Sequence, residues 1–304
     1  MAASTLGALS SPSAVVDRVR LVADEFREFS VDPAEARAAY GVGPQLLGEL
    51  LDIGLPARVV DRIPRLDARD LANVALHLGL SSMQRRAVVG WRQTLLSAAR
   101  GDRARYRLSY AGACPAPGHG GPCDISLTLP LAATASNAET AEGTGAATTV
   151  VELTTRWPDL PAGARAVADA VADLQFFALP PALREDLSFA RRTRLAGCRA
   201  AARLVVAECQ AAGLTAVTRS GLLLSVPFST PHSWVELAVA DQWVPFDPHL
   251  IHMMIRHAGL DEALWPVVRS PGAVLAAFAP GPVEPGYHNG DPVEVSITTH
   301  LESA

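Results

Sequence analysis

Lysine is missing altogether from this chain of 304 residues: all 26 basic residues are arginine. The protein thus offers no lysine amine to any amine-seeking chemistry of its own. With the abundance of alanine, the pattern reads as the coding bias of a GC-rich genome and carries no function by itself. A basic excess is also missing, since the formal charge is −5 and the isoelectric point is near 5.9. A general nucleic-acid binder would need a positive face, so nucleic-acid partners are not expected. No stretch runs to eighteen uninterrupted apolar residues, so no membrane span is expected. The first residues, MAASTLGALSSPSA, lack the charged start and apolar run of a secretion signal, and a cytoplasmic location is expected. Cysteine is scarce, with four in the chain, which fits a reducing compartment better than a disulfide framework.

What is present is ample core material, 49% hydrophobic residues, in a chain long enough for two domains. From Val15 to Arg100 the spacing reads as helical throughout. Val15, Val19, Val22 and Phe26 form one apolar stripe, and Asp32 followed by Pro33 caps the next helix. Further helices are expected over 43–51, 57–63, 68–78 and 81–99. This segment lacks a basic recognition face, so it reads as an interaction or lid domain rather than a DNA-binding helix-turn-helix. Near Arg105 the period changes to two, and strands are expected at 105–110, 124–129 and 149–154. Residues 132–147, all small or polar without periodicity, are expected to be a mobile hairpin loop. Helical spacing returns over 165–177 and 183–194, and a closing strand is expected at 293–299.

One loop invites a metal reading. Cys114, His119 and Cys123 are spaced Cys-x4-His-x3-Cys, but only three ligands are present and Asp124 would have to be the fourth. Plain turn residues are the preferred reading there, and no metal or other cofactor is expected. His249, His252 and His257, interleaved with Met253 and Met254, read as a packed helix with a polar side.

The chemistry concentrates between Gly197 and Pro248. Apolar residues at Ala201, Leu204, Val205 and Cys209, with Gly213 as a stop, predict a helix over about 198–212. Cys198 would then sit in the first turn, where the helix dipole favours a thiolate and where unpaired N–H groups can serve an oxyanion. Cys209 lies on the apolar face, where a cysteine is an inert hydrophobe. Next comes a hairpin, 232–239 and 243–247, with Val235, Leu237, Val239, Val244 and Phe246 toward the core. A two-residue turn at Ala240-Asp241 pairs Val239 with Gln242 and Ala238 with Trp243. That register puts His232 and Asp247 on one face within reach of a hydrogen bond, whereas a slip of one residue would drive Asp247 into the core. A thiol, an imidazole and a carboxylate placed by separate structural arguments are the set that nucleophilic catalysis needs.

The stretch resembles the core of the transglutaminase-like superfamily. The resemblance rests on Cys198, on Gly213-Leu214-Thr215-Ala216, on His232-Ser233-Trp234-Val235-Glu236, and on Trp243-Val244-Pro245-Phe246-Asp247-Pro248. Thr215 and Val217 depart from the usual proline and arginine. The resemblance implies Cys198 as nucleophile, His232 as general base and then acid, and Asp247 as the residue that orients the imidazole. It implies an α+β fold: a helical N-terminal domain, 1–104, followed by a papain-like or transglutaminase-like domain, 105–304, with an antiparallel sheet. The expected function is acyl transfer through a cysteinyl thioester in bacterial small-molecule assembly. An acyl thioester, small or carrier-protein-bound, would be the donor and an amine the acceptor, with a cysteine peptidase or amidase and a non-catalytic binding member as alternatives. Trp234 and Phe228 are expected at the substrate, and the apolar run Leu222 to Pro231 as a pocket wall. Gln175 or Trp157 could supply a second oxyanion donor.

Overall fold

The computed structural model describes residues 11–100, 103–281 and 283–302. The amino-terminal decapeptide, which carries most of the secretion-signal argument, lies outside them. Nine α-helices occur among the described residues: α1 Pro12–Val19, α2 Pro33–Tyr40, α3 Pro44–Asp52, α4 Ala68–His77, α5 Met83–Ala98, α6 Gly163–Ala170, α7 Leu187–Thr193, α8 Cys198–Ala211 and α9 Pro248–Ala258. None is long and apolar enough to cross a membrane. The strands are β1 Phe29–Val31, β2 Arg58–Val60, β3 Ile63–Asp67, β4 Arg103–Ala113, β5 Ile125–Leu127, β6 Ala133–Ala141, β7 Thr144–Thr154 and β8 Gln175–Phe176. They continue with β9 Leu195–Ala196, β10 Ala216–Leu223, β11 Thr230–Val239, β12 Gln242–Phe246, β13 Leu275–Ala277, β14 Gly286–His288, β15 Asp291–Pro292 and β16 Val295–Glu302. The fold is α+β, with antiparallel pairing everywhere except between β8 and β9.

Two compact units interleave along the sequence. One takes the described residues through Val89, then Val167–Val205 and Pro248–Val267; the other takes the described residues of Gly90–Ala166, Val206–Asp247 and those from Val268 on. The single break near residue 104 suggested by the change of period is thus replaced by several crossings.

The first unit is built on caps that the sequence announces. Asp32 accepts from the backbone N–H groups of Ala34 and Glu35 with Pro33 in the first turn, and Asp67 caps α4 in the same way. Its core joins Val15, Val19, Leu50 and Leu71 to Phe177, Leu183, Phe189 and Leu195. The amino-terminal helices therefore share one core with residues 177–195 rather than forming a core of their own. Residues 57–63 are not the expected helix but the hairpin of β2 and β3, within a small sheet ordered β1-β3-β2. Two causes are visible: Val59, Val60 and Ile63 favour extended backbone, and Asp61 and Arg62 take positive φ in the turn between them. The helix expected over 165–177 stops at Ala170, because Gln175 and Phe176 pair in parallel with Leu195 and Ala196.

The second unit holds a sheet ordered β16-β4-β7-β6 and another ordered β12-β11-β10-β13. Tyr106, Leu108, Val151, Leu222, Leu224 and Phe278 meet in its core. Here the hairpin expected at 132–147 is present, as the long paired strands β6 and β7 rather than a loop, turning at Glu142-Gly143 with Gly143 at φ +74°. β6 is the edge strand of its sheet, and its exposed small and polar residues leave no apolar alternation to read.

Candidate active site

The hairpin of β11 and β12 takes the anticipated register. Val239 pairs with Gln242, Ala238 with Trp243 and Val235 with Phe246, and Ala240 adopts φ +53° at the turn. Burial explains why no other register would do, since Val235, Leu237, Val244 and Phe246 are all at most 1% exposed. The opposite face carries His232 and, just beyond the ladder, Asp247.

Their side chains meet, His232 Nε2 lying 2.6 Å from Asp247 Oδ2. Both are largely buried, with side chains 11% and 7% exposed. An ionised carboxylate accepts only, so Nε2 carries the hydrogen and donates it. The neutral ring then has Nδ1 as its basic nitrogen, which fixes the tautomer. A buried charge-assisted bond of this length holds the ring in one orientation and stabilises the imidazolium once a proton arrives.

Trp234 backs this pair. Its ring is nearly parallel to the His232 imidazole, at 14°, and it is only 1% exposed. The expectation that Trp234 touches substrate is therefore revised: it is packed behind the histidine. Glu236, two residues further along the same face, is bound by Arg219 Nε at 2.7 Å. Sequence reasoning passed over this pair, although a glutamate two residues beyond a buried tryptophan on a strand needs a cation. Phe228 is half exposed and bridges to Thr298, so its surface is available. Leu222 and Leu224 belong to the core of this unit, so these two residues do not supply the pocket wall expected of the run preceding His232.

Cys198 belongs to the other unit, as the first residue of α8. The parallel pair β8 and β9 delivers the chain to it, and the Gly197 carbonyl accepts the Ala201 N–H at 3.0 Å, closing the first turn of the helix. In such a position a thiol feels the positive end of the helix. Cys209, in contrast, is fully buried. Burial, and secondarily Glu208, push its thiol up to about 11, which leaves it protonated and inert at neutral pH. None of the four cysteines is in a disulfide.

Both suggested oxyanion donors are engaged locally. The Trp157 indole N–H donates to the Thr154 carbonyl at 3.1 Å, and Gln175 Nε2 donates to the Asp173 carbonyl at 3.1 Å. The histidine-rich helix α9 is packed, as expected: His249, His252 and His257 are all buried.

A family model, that of the transglutaminase-like superfamily, matches residues 149–248. These residues are similar to the transglutaminase-like core. The matched stretch contains Cys198, His232 and Asp247 in that order. Among solved structures, the chain is similar to a candidate cysteine protease from Cytophaga hutchinsonii, at 12% identity and a TM-score of 0.35, covering 67% of this chain and 91% of that one. It is also similar to the periplasmic domain of TgpA from Pseudomonas aeruginosa, at 15% identity and a TM-score of 0.25, covering 57% of this chain and 94% of that one. The same domain bound to ethylmercury gives 14% identity and a TM-score of 0.24, covering 57% and 96%. No curated protein matches the chain.

Proposed function

We propose that the chain is a cysteine-dependent acyl-transfer enzyme in which Cys198 is the nucleophile, His232 moves the proton and Asp247 orients His232. The observation that carries this reading is the 2.6 Å bond between His232 and Asp247, inside a transglutaminase-like core that also presents a cysteine as the first residue of a helix. Nδ1 of His232 takes the Cys198 proton, and the thiolate adds to the acyl carbonyl carbon. Collapse expels the leaving group, which takes the proton back from the imidazolium, and leaves a cysteinyl thioester. An acceptor then gives its proton to Nδ1 as it attacks, and the thiol is restored.

For the finer step we propose an acyl thioester as donor and an amine as acceptor, giving an amide. Donor thioesters are already activated, so exchange with a thiol is close to thermoneutral. A second reading, hydrolysis of a peptide or amide, is favoured by one observation: Leu222 and Leu224 are in the core and so supply no wall for an apolar acyl chain. Intact-protein mass spectrometry after incubation with acyl thioesters, with and without an amine, separates the two. The expected result is an acyl adduct on the wild type, absent from Cys198→Ala, and an amide product when the amine is added. Cleavage of peptides without acylation by any thioester would establish the hydrolytic reading; no adduct and no cleavage would sink both.

A further inference from the structure

The loop after β4 and the hairpin of β14 and β15 bring together four metal-ligating side chains. Cys114, His119, Cys123 and His288 each offer one ligand atom, and all four atoms lie within 4.8 Å of one another. We propose that these residues bind one zinc ion as a closed tetrahedral Cys2His2 site that pins the β4–β5 loop to the β14–β15 hairpin.

The distances fit. Zn–N of about 2.0–2.1 Å and Zn–S of about 2.3 Å at the tetrahedral angle place neighbouring ligand atoms roughly 3.3–3.8 Å apart. His119 Nε2 and His288 Nε2 are 3.2 Å apart, and Cys123 Sγ is 3.3 Å from the same His288 nitrogen. A ring nitrogen has one lone pair or one hydrogen, directed along one axis. Two heavy atoms converging on His288 Nε2 exceed what a single hydrogen bond explains, and a shared cation explains both.

The surroundings orient the ligands. His119 Nδ1 lies 3.3 Å from the Gly120 carbonyl, so donation to that oxygen puts the hydrogen on Nδ1 and leaves Nε2 as the ligand atom. Gly143, at the turn between β6 and β7, bridges the two cysteines: its carbonyl accepts from Cys114 N at 2.8 Å and its N–H donates to the Cys123 carbonyl at 3.1 Å. Asn289, next to His288, donates from Nδ2 to the Pro122 carbonyl at 2.7 Å and accepts at Oδ1 from Asp124 N at 2.9 Å. Asp124, the fourth ligand considered from sequence, thus holds the hairpin by its backbone, and His288 takes the coordinating role. Two thiolates and two imidazoles in tetrahedral array select zinc among the common divalent ions. Four protein ligands leave no open position, so the site is structural and takes no part in acyl transfer.

The test uses the full chain. After expression with zinc and desalting, elemental analysis should give one zinc per chain for the wild type and for Cys209→Ala, and below about one tenth for His288→Ala. Cobalt loading should give ligand-field bands with a sulfur-to-cobalt charge-transfer band. In Cys123→His, which keeps four ligands, metal should be retained with that charge-transfer band about halved; this variant covers the case in which His288→Ala fails to fold. Zinc absent from the folded wild type, undiminished zinc in folded His288→Ala, cobalt spectra without sulfur charge transfer, or a wild-type mass two hydrogens light from a Cys114–Cys123 disulfide would each overturn the site.

Discussion

Gly221 stands directly opposite His232 in the pairing of β10 with β11, and it lies against the Trp234 ring that backs the imidazole. A Cβ at Gly221 would come within 2.2 Å of the Ala276 carbonyl oxygen and 2.8 Å of Trp234 Cη2. Backbone cannot yield as a flexible side chain does. Gly221→Ala is therefore expected to lower stability by about 3 kcal/mol, the upper part of the overpacking range, and to reduce turnover. Urea unfolding measures the first; a midpoint unchanged from wild type would mean that the strands are looser than described.

Asp247 contributes as acceptor and as charge. Asp247→Asn removes the charge and can turn its amide N–H toward the ring, favouring the wrong tautomer, whereas Asp247→Ala removes the acceptor altogether. Turnover should fall by about 10⁴-fold in the asparagine variant and by about 10²–10⁴-fold in the alanine one. Equal rates for wild type and Asp247→Ala would remove the aspartate from the mechanism.

Selective alkylation reports on the thiols. At pH 6, well below the ordinary cysteine value of about 8.5, iodoacetamide should label Cys198 first and Cys209 last, because burial holds the Cys209 thiol near 11. Peptide mapping reads the order. His232→Ala should slow labelling of Cys198 alone; if it does not, the imidazole is not the base for that thiol.

Acid sensitivity should come from the first unit. Burial lowers His77 to about 4 and His257 to about 3, and the two rings stand edge-on with centroids 4.7 Å apart, near Arg85 and Arg256. Each folded value lies below the ordinary 6.5, so the unfolded chain binds protons first. The stabilisation is complete above pH 6.5, is lost as pH falls toward 4 and 3, and amounts to about 3 kcal/mol for His77 alone. The melting temperature should fall from pH 6.5 downward, and less steeply in His257→Leu. A flat profile between pH 6.5 and 4.5 would contradict this.

The hairpin that carries His232 and Asp247 was legible because one two-residue turn and one alternating apolar face fix every pairing at once. The cap at Asp32 was legible because it is local; the Asp67 cap of α4 is just as local but was not read. Trp234 was misassigned because its sheet is covered on both faces, which erases the cue that separates a site face from a core face. At 132–147 the turn was legible but the length of the strands was not, because threonine and alanine on an exposed edge carry little hydrophobic contrast. His288 was invisible as a partner of Cys123, since 165 residues separate them and tertiary contacts, the pairing of β14 with β5 and the bonds of Asn289, bring them together.

The interleaving of the two units also bears on how the chain is made. His77, near the start, completes its surroundings only with Phe177 and His257. A ribosome must therefore translate through α9 before the first unit can close. Until then the apolar faces of α1 and α4 emerge without their later partners, Phe177, Phe189 and Leu195.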